Sequence, residues 1–336
     1  MNHSKIRVGV VGLGMMGLTH LDVYDKLPCV EVAAISDMNA NRLSGEEKAV
    51  GNVKGQAQGG FDFSCVKKYR DGMDLIADAE IDLVDVCLPT CMHLEHAVAV
   101  LKSGKHLLLE KPMARTYADC VRILEASRTA TGLSMLAMCL RFWPGYDWLK
   151  HAVEQKTYGK VYSAHFTRLA CHPGGIYLNG DLAGGAALDL HIHDVDFVRY
   201  AFGNPQRVCA TGFKKLTSEY DHIRARYHYP DIPLVTAEGG WCMQAGFPFT
   251  AGYTVNFENA TAVFADGILK LYQNGEEKTV ELSAQMGYAV EIAYFVECVM
   301  KNTPPTIVTL EDAAESVRLV EAECRSADAG GVAMEF

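Results

Sequence analysis

The sequence predicts two folded regions in tandem. Residues 1–140 read as a doubly wound α/β domain on a parallel sheet, and 141–336 as an α+β domain with a large, mostly antiparallel open sheet. Three observations carry this. Short β-branched runs alternate with helical stretches through the first 140 residues, and from Gly159 strand-like runs follow one another with only short turns. The chain has 336 residues, 49% of them apolar and 21% charged, enough for two separate cores.

The first element is Ile6 to Val11, a buried parallel strand by its run of β-branched residues. Gly12, Gly14 and Gly17 follow as G-x-G-x-x-G, with Met15 and Met16 opening a helix. Each glycine has a mechanical reason: Gly12 for the tight turn, Gly14 for close approach of a pyrophosphate, Gly17 for packing of helix on strand. The free N–H groups and positive end of that helix then face the phosphates. A second strand, "VEVAAISD" (30–37), ends in Asp37, 20 residues after Gly17. A carboxylate there accepts hydrogen bonds from the adenosine ribose and repels a 2′-phosphate, which favours NAD over NADP; Arg42 lies close by.

Further strands are expected at "IDLVDVCLP" (81–89), "KHLLLEKP" (105–112) and "LSMLAMCL" (133–140), with helices at 94–103 and 116–129 between them. The glycine-rich stretch 51–60 reads as a surface loop. Ligands of such a Rossmann sheet sit beyond the carboxyl ends of its strands. That singles out "LPTCMH" with Leu88, Pro89 and His93, and "EKP" with Glu110 and Lys111.

Other classes are excluded by composition. A net charge of −10 does not suit a phosphate backbone, so nucleic acid is not expected, and apart from the N-terminal run no apolar stretch is long enough to span a bilayer. Lys5 and Arg7 before the apolar "VGVVGLGMMGL" mimic a signal peptide, but the glycine spacing accounts for that run better. The eleven cysteines are scattered without a CxxC pair, which predicts reduced thiols and a cytoplasmic location.

With "GLGMMG", "LPTCMH…GKHLLLEKP" and "GGAALDLHIHDVDF" in this order, the chain resembles the Gfo/Idh/MocA oxidoreductases from its first strand to its last helix. The resemblance implies that Lys111 is the catalytic lysine, that Asp189 and His193 form the D-x-x-x-H pair, and that Pro89 and His93 border the nicotinamide. The chain departs from the pattern in two places. Cys139-Leu140 precedes Arg141-Phe142 where many members have Asn, and His191 stands where many have Gly.

The segment "GGAALDLHIHDVDF" could be a metal site, an acid–base site or a decorated helix. As a helix over 187–201, at roughly 100° per residue, it sets Asp189 and His193 on one side, with Asp196 and Tyr200 close to that stripe. His191 and Asp194 point elsewhere, so the two histidines do not converge on a metal, and none is expected. Apolar residues on both flanks imply a largely buried helix whose polar stripe lines a cavity. Oxidising an alcohol then has its parts: the nicotinamide accepts hydride, His193 can take the hydroxyl proton, Asp189 can orient or charge-balance the imidazole, and Lys111 can stabilise alkoxide character. Either Lys111 or His193 can be the proton carrier.

In the second region, "HIRARYHY" (222–229) alternates cleanly, with His222, Arg224, Arg226 and His228 on one face. Two helices close the chain, at 288–300 and 310–324; Thr309 with Asp312 makes a capping box for the last. A large sheet with helices on one face leaves the other solvated or covered, and the family resemblance implies a homodimer or homotetramer through it. The substrate is expected between the domains, with Arg168, His165, Tyr177, Trp241 and Gln244 as lining residues whose aromatics and hydrogen-bonding groups suit a sugar ring. The function expected is NAD-dependent oxidation of a secondary hydroxyl on a sugar, glycoside or cyclitol, or the reverse. Redox-assisted glycoside elimination on tightly held NAD and a non-enzymatic NAD sensor are the alternatives.

Overall fold

The computed structural model describes residues 5–47 and 60–336. The loop expected at 51–60 lies, apart from Gly60, outside the described residues. The chain forms two compact units: Met1–Met138 with Gly287–Ala314, and Cys139–Met286 with Glu315–Phe336.

The first unit opens with β1 (Ile6–Val11), α1 (Met15–Tyr24), β2 (Val30–Ser36) and the short α2 (Ala40–Ser44). It continues through β3 (Lys67–Tyr69), α3 (Gly72–Ala77), β4 (Leu83–Val86) and α4 (His93–Ser103). Then come β5 (His106–Glu110), α5 (Tyr117–Ser127) and β6 (Ser134–Ala137). The strands form one parallel six-stranded sheet in the order β3-β2-β1-β4-β5-β6. The order reverses at β1, and that crevice is where doubly wound sheets bind their ligands. All four residues of β4 are buried, as are the last four of β1 and of β5. Such two-sided burial explains why these strands read as continuous apolar runs. Thr116, expected inside the helix, caps α5 and accepts the N–H of Asp119 at 3.1 Å.

The second unit holds α6 (Pro144–Glu154), β7 (Val161–Cys171), α7 (Gly180–Ala183) and α8 (Ile192–Phe202), followed by seven strands in succession. These are β8 (Arg207–Phe213), β9 (His222–His228), β10 (Leu234–Met243), β11 (Thr250–Phe257), β12 (Thr261–Ala265), β13 (Ile268–Gln273) and β14 (Glu276–Val280). Helices α9 (Gly287–Lys301) and α10 (Leu310–Asp328) and the short β15 (Met334–Glu335) end the chain. The nine-stranded sheet runs β14-β13-β12-β11-β7-β10-β9-β8-β15 and is antiparallel except where β10 pairs with β7. Its helix-covered face carries an aromatic cluster in which Tyr146 meets Phe197, Tyr253 and Phe264 edge to face. Each such pair contributes about 0.5–1.5 kcal/mol beyond its buried area. Strand β9 alternates as predicted: Ile223, Ala225 and Tyr227 are buried, Arg224 and Arg226 exposed.

One boundary differs from the expectation. Residues 287–314 group with 1–138, so the closing helices do not both fall in the second unit. Helix α9 buries Ile292, Phe295 and Val296 and packs against α1 and β6. Periodicity shows that such a helix has an apolar face; it does not show which sheet that face will cover. Among the described residues no helix is long and apolar enough to cross a membrane.

Candidate active site

The glycine loop has the geometry its spacing implies. Gly12 adopts φ +95°, where a side chain is strained. A Cβ on Gly17 would lie 1.9 Å from the Gly12 carbonyl oxygen, so helix and loop touch backbone to backbone there. A Cβ on Gly14 would meet nothing within 4 Å. The close-packed neighbours and the open centre are what a phosphate cradle at a helix N-terminus requires. Gly14, Met15 and Met16 are all partly exposed around it. The Asp37 carboxylate closes the next turn, accepting the N–H of Leu13 through Oδ2 and of Asn39 through Oδ1, both at 2.8 Å. Arg42 Nη1 stands 3.8 Å from Asp37. These residues fit a dinucleotide: loop N–H groups for its phosphates, and a fixed carboxylate for a ribose.

At the ends of β4 and β5 the exposed and buried members divide. Leu88, Pro89 and Lys111 reach the surface, while His93 and Glu110 do not. The Lys111–Pro112 bond is cis. His93 is fully buried, with Nδ1 and Nε2 each 2.7 Å from a carbonyl oxygen, those of Pro112 and Leu88. Burial pushes its pKa down, against the pull of the two carbonyls. A neutral ring has one N–H, so His93 donates to one of the two strand-end turns and packs against the carbonyl of the other. Glu110 likewise works from beneath, accepting the Lys111 N–H at 3.0 Å.

In the second unit the segment expected as plain helix begins with a π-helical turn, Ala187–His191, which runs into α8. Such widened turns concentrate at functional sites. Between Ala186 and Arg199 only Asp189, Leu190 and His193 are partly exposed. The other polar groups are turned inward. His191 Nε2 lies 3.0 Å from Glu323, Asp194 receives Arg168 at 2.7 and 3.2 Å, and Asp196 receives Arg141 at 2.9 and 2.7 Å. His191 therefore diverges from His193, as the helical reading has it. Asp196, expected near the polar stripe, is instead held in the core by Arg141.

The expected substrate residues divide between the two sheet faces. On β7, Ala164, Phe166, Arg168 and Ala170 are buried under the helices, while His165 alternates to the other face, where Nδ1 lies 2.9 Å from Thr236 Oγ1. Arg168 is 5% exposed, its guanidinium shared between Asp194 and the Tyr146 hydroxyl. Trp241 is 1% exposed and donates its indole N–H to Asp221 at 2.8 Å. Tyr177 and Leu190 pack around Trp241, which joins the aromatic group to the Asp189–His193 segment. Gln244 is exposed in the loop after β10.

Sequence reasoning missed two features. His172, just past β7, sets its ring edge-on to Trp241 at 5.0 Å. Its Nδ1 accepts the Gly174 N–H at 2.9 Å, which leaves Nε2 as a donor, and Nε2 is buried with no hydrogen-bond partner among the described residues. The signal for it was the "HPGG" turn at a strand end. The second feature is a buried trio, with His20 Nδ1, an Asp85 oxygen and Cys87 Sγ within 4.8 Å of one another. It has metal-ligand elements, but burial pushes the Cys87 thiol up, so it stays protonated and donates to Asp85 at 3.3 Å.

Comparison with known proteins agrees with this layout. Residues 6–137 match the Gfo/Idh/MocA model described as "Oxidoreductase family, NAD-binding Rossmann fold", and 146–263 match the Gfo/Idh/MocA C-terminal domain. A myo-inositol 2-dehydrogenase from Thermotoga maritima is 33% identical over 199 residues, 59% of this chain and 55% of the relative. The matched stretch thus spans little more than half of that relative. An inositol 2-dehydrogenase/D-chiro-inositol 3-dehydrogenase from Shouchella clausii is 26% identical over 327 residues, 89% of this chain and 85% of its own length. A levoglucosan dehydrogenase in complex with NADH and levoglucosan superposes with a TM-score of 0.85 at 19% identity, covering 98% of this chain and 99% of its own. Two adjoining domain models of one family cover most of the sequence, in the order of the two units: the chain belongs to the Gfo/Idh/MocA oxidoreductases.

Proposed function

We propose that this protein is an NAD-dependent dehydrogenase acting on a secondary hydroxyl of a cyclitol, sugar or glycoside. The observation that carries the reading is on one helix: Asp189 and His193 stay accessible where its other charged groups are drawn into the core. The relatives named for inositol and levoglucosan supply the substrate class.

The bound nicotinamide supplies the hydride acceptor. His193 takes the hydroxyl proton, and Asp189 orients the ring and offsets its positive charge. Lys111 is the candidate for the cationic donor that stabilises alkoxide character as the C–H bond breaks. Tyr177 offers a ring face to a polyol, and the buried Nε2–H of His172, without a partner among the described residues, belongs to a ring packed on the same Trp241. Arg168 and Trp241, committed to Asp194 and Asp221, support this wall rather than contact the substrate. Asp37 sets the preference for NAD. We further propose a homodimer or homotetramer through the uncovered face of the nine-stranded sheet, which light scattering tests. The eleven cysteines are thiols, as a cytoplasmic location would keep them.

The test is a panel of cyclitols and sugars with NAD and NADP, read as steady NADH accumulation. Lys111→Met and His193→Asn should each lower kcat about 10²–10⁴-fold while NADH still binds. Wild-type protein that binds NADH yet turns over no member defeats the reading.

A further inference from the structure

Beneath Lys111 lies a closed polar chain made by α1, β4 and β5. His20 Nδ1 is 2.8 Å from Asp85 Oδ2, and the Tyr24 hydroxyl donates to the same oxygen at 2.9 Å. His20 Nε2 lies 3.3 Å from Glu110 Oε1, an ion-pair contact without good hydrogen-bond alignment. Glu110 then accepts the Lys111 N–H through Oε2 at 3.0 Å. The His20 and Asp85 side chains are fully buried, and that of Glu110 is 7% exposed.

Two buried carboxylates flank one imidazole. A neutral ring would offer one N–H to both and leave the acids' repulsion uncompensated; an imidazolium faces each with a donor. Burial is the largest influence and opposes that charge, but the charge and hydrogen bond of Asp85, together with Cys87, more than offset it and raise the His20 pKa well above its ordinary value. Buried ion sets of this kind add little net stability compared with apolar packing. What this one does is connect. His20 sits on the helix that begins at the phosphate turn, and Glu110 grips the backbone from which Lys111 projects.

We propose that His20 is a positioning residue for Lys111: through Glu110 it fixes the backbone that carries the amine, and through α1 it registers that amine against the glycine loop. The proposal rests on Lys111 being the catalytic amine. No metal role competes, because Asp85 already takes donors from His20, Tyr24 and Cys87.

The test follows acylation of Lys111 by acetic anhydride across pH, read by peptide mass spectrometry on the full chain, beside NADH affinity and the kcat and KM of the best substrate. His20→Asn strips Glu110 of its cation, so the Lys111 labelling midpoint should rise by about one pH unit. Glu110→Gln should lower it, and the double variant should return close to wild type. In His20→Asn, kcat should fall about tenfold with KM and NADH affinity unchanged, the pattern of a lost transition-state contact. A midpoint unmoved in His20→Asn that still binds NADH overturns the assignment. If that variant does not fold, the isosteric Glu110→Gln decides, and an unmoved midpoint there has the same force. Labelling needs no substrate, so a wild-type protein inert on every polyol would defeat the proposed function and leave this assignment standing.

Discussion

Alanine at Gly14 and at Gly17 separates room kept for a ligand from room used by the fold. Gly14 has φ −70° and ψ −169°, which alanine adopts without strain, and its Cβ would enter space with no atom within 4 Å. Freezing the unfolded chain stabilises by about 0.4–1 kcal/mol. Losing glycine at the N-cap costs a similar amount, so the melting temperature should move by no more than about 2 °C. The bound state differs. The methyl stands where a pyrophosphate must meet the loop N–H groups, and one lost charge-assisted hydrogen bond is worth about 1.5–3 kcal/mol. NADH should bind about 10- to 150-fold more weakly. At Gly17 the added Cβ falls 1.9 Å from the Gly12 oxygen, backbone that cannot step aside. That variant should lose more than about 4 kcal/mol of stability. Thermal melts with and without NADH, plus a fluorescence titration, read both effects. Gly14→Ala binding NADH as tightly as wild type would refute the cradle, and Gly14→Ala as unstable as Gly17→Ala would refute the open space.

Asp37→Asn keeps the shape of the turn and removes the charge, so NAD affinity should fall and the NADP-to-NAD ratio rise about tenfold, with Arg42 at 3.8 Å placed to meet a 2′-phosphate. Unchanged discrimination would move cofactor selection elsewhere. Arg168→Met leaves Asp194 buried without its cation and should cost about 3–5 kcal/mol in urea unfolding; adding Asp194→Asn should recover part of that loss. A double variant no better than the single contradicts the pairing. Asp221 pairs with Trp241, Thr217 and three backbone N–H groups, which outweigh burial and hold its pKa at about 2. The folded value lies below the ordinary carboxylate value of about 3.9, so this stabilisation is complete above about pH 4 and fades as pH falls toward 2. Asp221→Asn should therefore melt lower than wild type at pH 7, and the gap should close in acid; a gap constant with pH would show that the charge is not what stabilises.

The first unit was legible because its strands are buried on both faces and its glycines carry distinct mechanical duties. Ile6–Val11 and Val30–Ser36 fall where the apolar runs placed them. The three-residue β3 and the short α2 and α3 were not foreseen, since segments of that length have no period to read. Within the candidate site, Asp189 and His193 were expected as a pair because four residues is close to one α-helical turn; Asp189 instead lies in a π-helical turn, and both residues are partly exposed. Arg168 and His165 could not be separated by residue type. Only the alternation of β7 does that, placing one under the helices and the other on the far face. His172 escaped notice because its role depends on a tautomer, and the tautomer depends on the Gly174 N–H that a turn delivers.

The helix bearing Asp189 and His193 shows what buried charge does in the second unit. His191, Asp194, Asp196 and Arg199 leave it in different directions, and each meets a partner from another element: Glu323, Arg168, Arg141 and Ser316. Apolar side chains in those places would hold the helix as firmly, but several rotational settings would bury them comparably well. Four directional contacts allow one setting. Gly239 makes room for the unusual histidine, since a Cβ there would lie 2.6 Å from His191 Cβ. Tyr227 donates to Glu323 at 2.8 Å, completing the set beneath it. Rotating the helix by one residue would break all four contacts and turn Asp189 and His193 away from the accessible side. The orientation of the exposed pair is thus fixed by buried groups, and those groups, more than the pair's own neighbours, hold the stripe to which the acid–base role is proposed.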